Sequence, residues 1–166
     1  MAPPPSRSLS LKARALQWLA QREHSRLELR RKLLAAARQR DAAERGADET
    51  PDPAGEVEAV LDWLVAQRHL SEARFVEARV HARAARFGAR RIVQELSQHG
   101  VALSPEAAAE LKSSELERAR EVWARKFGSA PAADAAARLR QMRFLAGRGF
   151  APDIIRRVVR GLPEDD

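Results

Sequence analysis

The chain has 166 residues, no cysteine, and 30 basic against 23 acidic side chains, for a formal net charge of +7. The missing cysteine excludes disulfides, thiolate metal sites and thiol nucleophiles. No apolar run reaches the roughly 20 residues of a membrane span, and residues 1–8 lack the apolar centre of a secretory signal, so a soluble cytoplasmic protein is expected. Only four of the 30 cations are Lys, at 12, 32, 112 and 126. Such Arg dominance suits planar, bidentate contacts to phosphate or carboxylate, and a GC-rich genome gives the same bias.

Residues 1–8, with Pro3-Pro4-Pro5, read as a disordered or extended leader. From Leu9 the helical period sets in: Leu11, Ala15 and Trp18 form one row, with Leu16 and Leu19 beside it, so a first helix runs to about Gln21. Ser25 followed by Glu28 is a capping-box pattern that opens a second helix. Leu29, Leu33 and Ala36 or Ala37 form its buried row, and Arg26, Arg30, Arg31 and Lys32 lie mostly outside it.

Residues 39–55 hold Gly46, Pro51, Pro53 and Gly55 among acids and read as a mobile linker. Its Asp48, Glu49 and Asp52 lack the ligand spacing of a calcium loop. A third helix from about Glu56 buries Val57, Val60, Leu61 and Leu64. Ser71 caps a fourth, with Phe75, Ala78 and Ala82 on its apolar row and Arg79, Arg83 and Arg86 in a stripe. Phe87-Gly88 breaks it. Residues 89–98 form a fifth helix, with Ile92, Val93 and Leu96 inward and Arg90-Arg91 at its start, and Gly100 ends it.

Ser104-Pro105 opens a short sixth helix. The seventh, about 114–127, carries Leu116, Val122, Trp123 and Phe127. An eighth follows Pro131, with Leu139, Met142 and Leu145 inward and Arg138, Arg140 and Arg143 outward. The ninth starts near Pro152, packs with Ile154, Ile155, Val158 and Leu162, and projects Arg156, Arg157 and Arg160. No segment alternates as a half-buried strand does, so the fold class is all-α.

One design recurs three times: an aromatic-Leu pair, a short gap ending in His or a large apolar residue, and a new helix opening with a small residue. The copies are Trp18-Leu19 to His24-Ser25, Trp63-Leu64 to Leu70-Ser71, and Phe144-Leu145 to Phe150-Ala151. Together with Phe75 and Trp123, these pairs read as packing joints. The nine helices then group as tandem three-helix repeats: repeat 1 over 9–70 (with the linker 39–55), repeat 2 over 71–112 and repeat 3 over 113–162, before an acidic tail at 163–166.

Charge follows the same organisation. Residues 7–40 hold 10 basic and 2 acidic side chains, residues 41–62 hold 1 and 8, residues 71–100 hold 6 and 3, and residues 118–160 hold 11 and 3. The four His, at 24, 69, 81 and 99, form no helical metal pair. Gly147-Arg148-Gly149 lacks the rest of a phosphate-binding fingerprint and follows no strand. Neither a cofactor, a metal nor a small-molecule substrate is expected, and catalysis has no residue constellation to perform it. What remains is a set of basic faces, comprising Arg30, Arg31, Arg79, Arg83, Arg86, Arg90, Arg91, Arg138, Arg140, Arg143, Arg156, Arg157 and Arg160. They suit an extended polyanionic or acidic partner.

Residues 15–33 (ALQWLAQREHSRLELRRKL), Val60-Leu61-Asp62-Trp63-Leu64 with Leu70 to Phe75, Arg86 to Ile92 with Gln94-Glu95-Leu96, Trp123 to Gly128, and Gln141 to Val158 stand in an order that resembles the RecX family. Members of that family regulate the bacterial RecA recombinase. The resemblance covers about residues 9–162 and implies three tandem three-helix repeats in an elongated, curved array. It further implies binding to the RecA filament on DNA and restraint of its ATPase, strand-exchange and coprotease activities, without catalytic residues. Weak, sequence-indifferent DNA binding is the accompanying expectation. The acidic insertion at 41–56 departs from the compact family pattern. The rival reading is a helix-turn-helix DNA-binding regulator with residues 25–38 or 89–98 as recognition helix.

Overall fold

The computed structural model describes residues 9–45, 52–128 and 130–161. The leader 1–8, residues 46–51 of the linker, Leu162 and the tail 163–166 lie outside the described residues. Among those described there are nine helices and no strand. The chain divides into two compact units, one ending at Phe75 and the other beginning at Val76.

The first unit contains α1 (Leu11–Gln21), α2 (Arg26–Arg45), α3 (Ala54–Ala66) and the start of α4 (Glu72–Ala84). Leu11, Ala15, Leu29, Leu33, Val57, Leu61 and Leu64 form a continuous core, against which Trp18, Leu19 and Trp63 are half-buried. The start of α2 is capped through Ser25 Oγ, which accepts from the Glu28 amide at 3.1 Å. Its end corrects the sequence reading: the helix continues to Arg45, seven residues into the stretch taken as linker from 39. Ala42 and Ala43 favour helix, and Arg40 in this last part bonds Asp41 and Glu56, fastening it to α3.

His24 is 1% exposed and sits between two groups that decide its protonation. Nδ1 lies 2.9 Å from the Arg22 carbonyl oxygen, which can only accept, and Nε2 lies 3.1 Å from Lys32 Nζ, which can only donate. The ring is therefore neutral with its proton on Nδ1. Burial is the largest influence holding its pKa below the ordinary 6.5; the backbone bond to Arg22 and the charge of Glu28 oppose it. Lys32 also lies over the Trp18 ring, 4.4 Å from its centroid.

The second unit holds the rest of α4 with α5 (Ala89–Gln98), α6 (Pro105–Ser113), α7 (Glu115–Phe127), α8 (Ala135–Gly147) and α9 (Pro152–Arg160). Ala119, Val122, Leu145, Phe150, Ile154, Ile155, Val158 and Val159 make one core, with Trp123 and Phe144 half-buried against it. The four buried β-branched residues of α9 alone contribute about 2 kcal/mol each relative to exposure. Val93 and Leu139, read as inward, are 48% and 47% exposed, and Ala78 and Ala82 are exposed too. Ile92, adjacent to Val93, and Leu96, four residues after Ile92, define the buried stripe of α5 and turn Val93 aside.

The recurrent aromatic-Leu unit resolves into a helix stop. In the third copy, Gly149 takes φ +85° and the Phe150 amide donates to the Leu145 carbonyl at 3.3 Å, which brings buried Phe150 back over the helix end. In the second copy Arg68 occupies the left-handed region at φ 59°, and the amides of His69 and Leu70 both reach the Leu64 carbonyl. Arg74 bridges that turn by donating to the carbonyls of Arg68 and His69.

Two charged residues in the first turn of α7 organise the second unit. Glu115, 4% exposed, accepts from the amides of Ala89 and Ala151 at 3.1 and 3.3 Å, serving the N-terminal ends of α5 and α9 with one carboxylate. Half-buried Arg118 donates to the carbonyls of Ala84, Phe87 and Leu111 near the ends of α4 and α6. Burial lowers its pKa, and the nearby Glu115 charge opposes that shift. Gly88 meets the turn after α8 directly: its amide donates to the Arg148 carbonyl at 2.8 Å, and a Cβ there would stand 2.3 Å from the Gly149 oxygen.

Two outcomes follow from these buried groups. Glu115→Ala strands two amide donors beside a half-buried guanidinium and is expected to cost about 3 kcal/mol, measured by urea denaturation; a loss under half that size contradicts the stapling role. For His24, the folded state favours the neutral ring, so its contribution is intact above pH 6.5 and declines as pH falls through that value toward the lowered pKa. The native protein should lose melting temperature between pH 7.5 and 5.5, and His24→Gln should show a flatter profile over that window. Parallel profiles would exclude a neutral His24.

Candidate basic interface

The arginines expected to meet a partner fall into three structural situations. On α2 they are largely engaged within the first unit. Arg26 donates to Glu58 at 2.8 Å and to Asp62 at 2.7 Å, Arg30 shares Glu58, and Arg40 takes Glu56 and Asp41. The side-chain bonds to these acids raise the Arg26 and Arg40 pKa values and lower those of Glu58 and Glu56. The acidic residues of α3 thus act as countercharge to α2. Arg31 is exposed, with no ion pair among the described residues.

On α4, α5 and the turn between them the arginines are partly engaged, and three of them, Arg83, Arg86 and Arg91, converge on Phe87. Arg83 pairs with Glu95 at 2.8 Å, while Arg91 lies 3.6 Å from the same carboxylate and donates to the Gly147 carbonyl at 3.2 Å. Arg79 Nη2 is 3.3 Å from His99 Nε2. The guanidinium carbons of Arg83, Arg86, Arg91 and Arg148 all lie between 4.5 and 5.7 Å from the centroid of the buried Phe87 ring. Arg90 is exposed at the N-terminal end of α5 and lines a recess of about 500 Å³ with Gln94, Gln98 and Pro152.

On α8 and α9 the arginines are exposed. Burial of Ile154, Ile155, Val158 and Val159 forces Arg156, Arg157 and Arg160 onto the opposite face of α9. Arg138, Arg140 and Arg143 stand outside α8. None of these six side chains has a hydrogen bond or ion pair to a described residue. Among the acids of these helices, Asp134 is occupied by its cap on the Ala137 amide at 2.7 Å. Such side chains can make bidentate contacts to carboxylates or phosphates. Among the described residues no group of three His, Asp or Glu side chains can hold a metal ion, and no helix is long and apolar enough to cross a membrane.

Comparison with known proteins places this architecture. The profile of the second three-helix domain of RecX matches residues 71–104, and that of its third three-helix domain matches residues 113–159. A regulatory protein RecX of Leptothrix cholodnii is 51% identical over 154 residues, covering 92% of this chain and 88% of the relative. The chain belongs to the RecX family. The regulatory protein RecX of Herbaspirillum seropedicae is 47% identical and covers 98% of both chains, and that of Ralstonia nicotianae is 46% identical over 95% and 91%. The crystal structure of RecX from Lactobacillus salivarius superposes with a TM-score of 0.63 at 17% identity, over 92% of this chain and 94% of that one. At that identity the likeness is one of fold.

Sequence reasoning passed over Glu115, Arg118, Arg148 and the buried His24. A charge on an amphipathic helix is ordinarily solvated, and the only local signal was an i,i+3 Glu-Arg pair at the start of α7. The three situations predict an order of chemical reactivity. Under limiting phenylglyoxal, peptide mapping should find Arg138, Arg140, Arg143, Arg156, Arg157 and Arg160 modified before Arg26, Arg30 and Arg118. Uniform modification would mean that the ion pairs and carbonyl bonds do not persist in solution.

Proposed function

We propose that this chain is a non-enzymatic regulator that binds the RecA–DNA filament and restrains its ATPase, strand-exchange and coprotease activities. Membership of the RecX family, whose relatives are named regulatory proteins, sets the class of function. The observation that carries the mode of binding is the outward face of α9. There Arg156, Arg157 and Arg160 stand on a buried apolar row with no described acidic partner. The packed helix holds the backbone of these arginines in place, and repeated weak contacts along a polymer accumulate into avidity. A regulator in such a position excludes an incoming duplex or repressor by occupancy and needs no chemistry of its own. The helix-turn-helix alternative has less support on α2, because Arg26 and Arg30 of that helix are already paired with Glu58 and Asp62.

The deciding assay is RecA-catalysed ATP hydrolysis on single-stranded DNA with the chain titrated in. The native chain should lower the rate. The Arg156→Glu, Arg157→Glu, Arg160→Glu protein should need about tenfold more for the same effect, equivalent to about 1.4 kcal/mol of binding. Full restraint by the triple variant would remove α9 from the interface. No effect of the native chain would overturn the reading altogether.

A further inference from the structure

The second unit carries a cleft of about 240 Å³ in which Arg86, Arg125, Lys126 and Arg148 surround an apolar floor of Val122 and Phe144. No carboxylate lines it, and none of the four cations forms an ion pair with a described residue. This distinguishes the cleft from the α2 face, where each of Arg26, Arg30 and Arg40 has its acid. Two of the four are also held in place. Arg148 lies over Phe87 and Phe144, 5.4 and 5.2 Å from their centroids, and Arg125 Nη2 donates to the Ala85 carbonyl at 2.8 Å.

We propose that this cleft binds a phosphate group and seats the backbone of a nucleic-acid strand without reading its bases. The chemistry selects phosphate over carboxylate. A carboxylate has two oxygens, and Glu58 and Glu95 of this chain each take two arginines, whereas a phosphate spreads its charge over more oxygens that three or four donors can approach together. Four cationic side chains lining one cleft with no carboxylate among them exceed what a lone carboxylate needs. The Arg148 side chain lies over Phe87 and Phe144 and makes no hydrogen bond or ion pair with a described residue, so its N–H groups remain available to a ligand.

The aromatic rings are meanwhile spent. Phe144 meets Phe127 edge to face at 5.3 Å and carries Arg148, and Phe87 is buried beneath its four guanidiniums. With Arg148 standing over both rings, recognition at the cleft rests on charge and shape. The assignment adds Arg125, Lys126 and Arg148 to the basic residues read from sequence, and it stands without any RecA.

The test uses the full chain and no recombinase: fluorescence anisotropy of a labelled oligo-dT strand across a series of NaCl concentrations, with sodium pyrophosphate as competitor. Arg86→Gln with Lys126→Gln removes two exposed cations that make no described hydrogen bond, so the fold should survive, as circular dichroism will show. Affinity should fall, and the slope of log K against log salt should flatten by about 1.4, from ~0.7 for each of two neutralised phosphates on a single strand. Arg148→Lys keeps the charge but loses the stacked fork, and should weaken binding with the slope unchanged. Pyrophosphate should displace the strand from the native protein. Native affinity and slope in the double variant would overturn the proposal. Pyrophosphate competition with strand affinity untouched by either substitution would place both ligands outside this cleft and likewise overturn the proposal.

Discussion

A carboxylate and a guanidinium three residues apart in the first turn of α7 stand where four helix ends of the second unit meet. Glu115 presents negative charge to the amide ends of α5 and α9, and Arg118 presents positive charge to carbonyls near the ends of α4 and α6. Each charge therefore faces the helix pole it complements, and two amides and three carbonyls at or near these ends find side-chain partners. Short helices make this necessary: α5, α6 and α9 have 10, 9 and 9 residues, so unsatisfied termini form a large share of their backbone. An apolar core alone would leave those ends exposed to the cost of burial.

The distribution of countercharge separates scaffold from surface. In the first unit Glu56, Glu58 and Asp62 of α3 hold Arg26, Arg30 and Arg40 of α2, an arrangement that fastens two helices and cancels their charge. Exposed pairs of this kind add little stability individually. Their larger effect is to make that face electrically quiet. In the second unit residues 118–160 hold 3 acids against 11 cations, and two acids there and just before, Asp134 and Glu115, are committed to backbone amides. The arginines of α8 and α9 consequently keep their full field.

Much of this was legible in the sequence because apolar spacing reports directly on helix faces. Leu29 with Leu33, Val57 with Leu61 and Leu64, and Ile154 with Val158 were assigned from period alone and are buried. Val93 and Leu139 show where that method stops: an apolar residue at the margin of a stripe is placed by its neighbours' packing, and both are about half exposed. The extension of α2 to Arg45 escaped because acids and a nearby Gly suggested a linker, whereas Arg40 finds its partners in Asp41 and, sixteen residues on, Glu56. Buried charge was the least legible. Nothing local marks Glu115 as buried, since the amides of Ala89 and Ala151 that it serves come from segments joined only by the fold; His24 has its partners Arg22 and Lys32 close by in sequence, but a histidine between two helices reads equally well as exposed.

The recurrent aromatic-Leu unit gains its meaning from the same contacts. After Leu145 the chain turns through Gly149, and the turn is approached so closely that a Cβ on Gly149 would lie 2.4 Å from that of Arg91, while one on Gly88 would enter the Gly149 carbonyl. Backbone against backbone leaves no slack between the start of α5 and the end of α8. Arg91, which donates to the Gly147 carbonyl, and Arg148, which stacks on Phe87, are fixed by this joint, and Arg86 is brought beside them on the same ring. A turn selected for stopping a helix thus also sets the spacing of guanidiniums around one aromatic ring. Because that spacing is established by covalent geometry and packing before any partner arrives, its ordering cost falls on folding and not on binding.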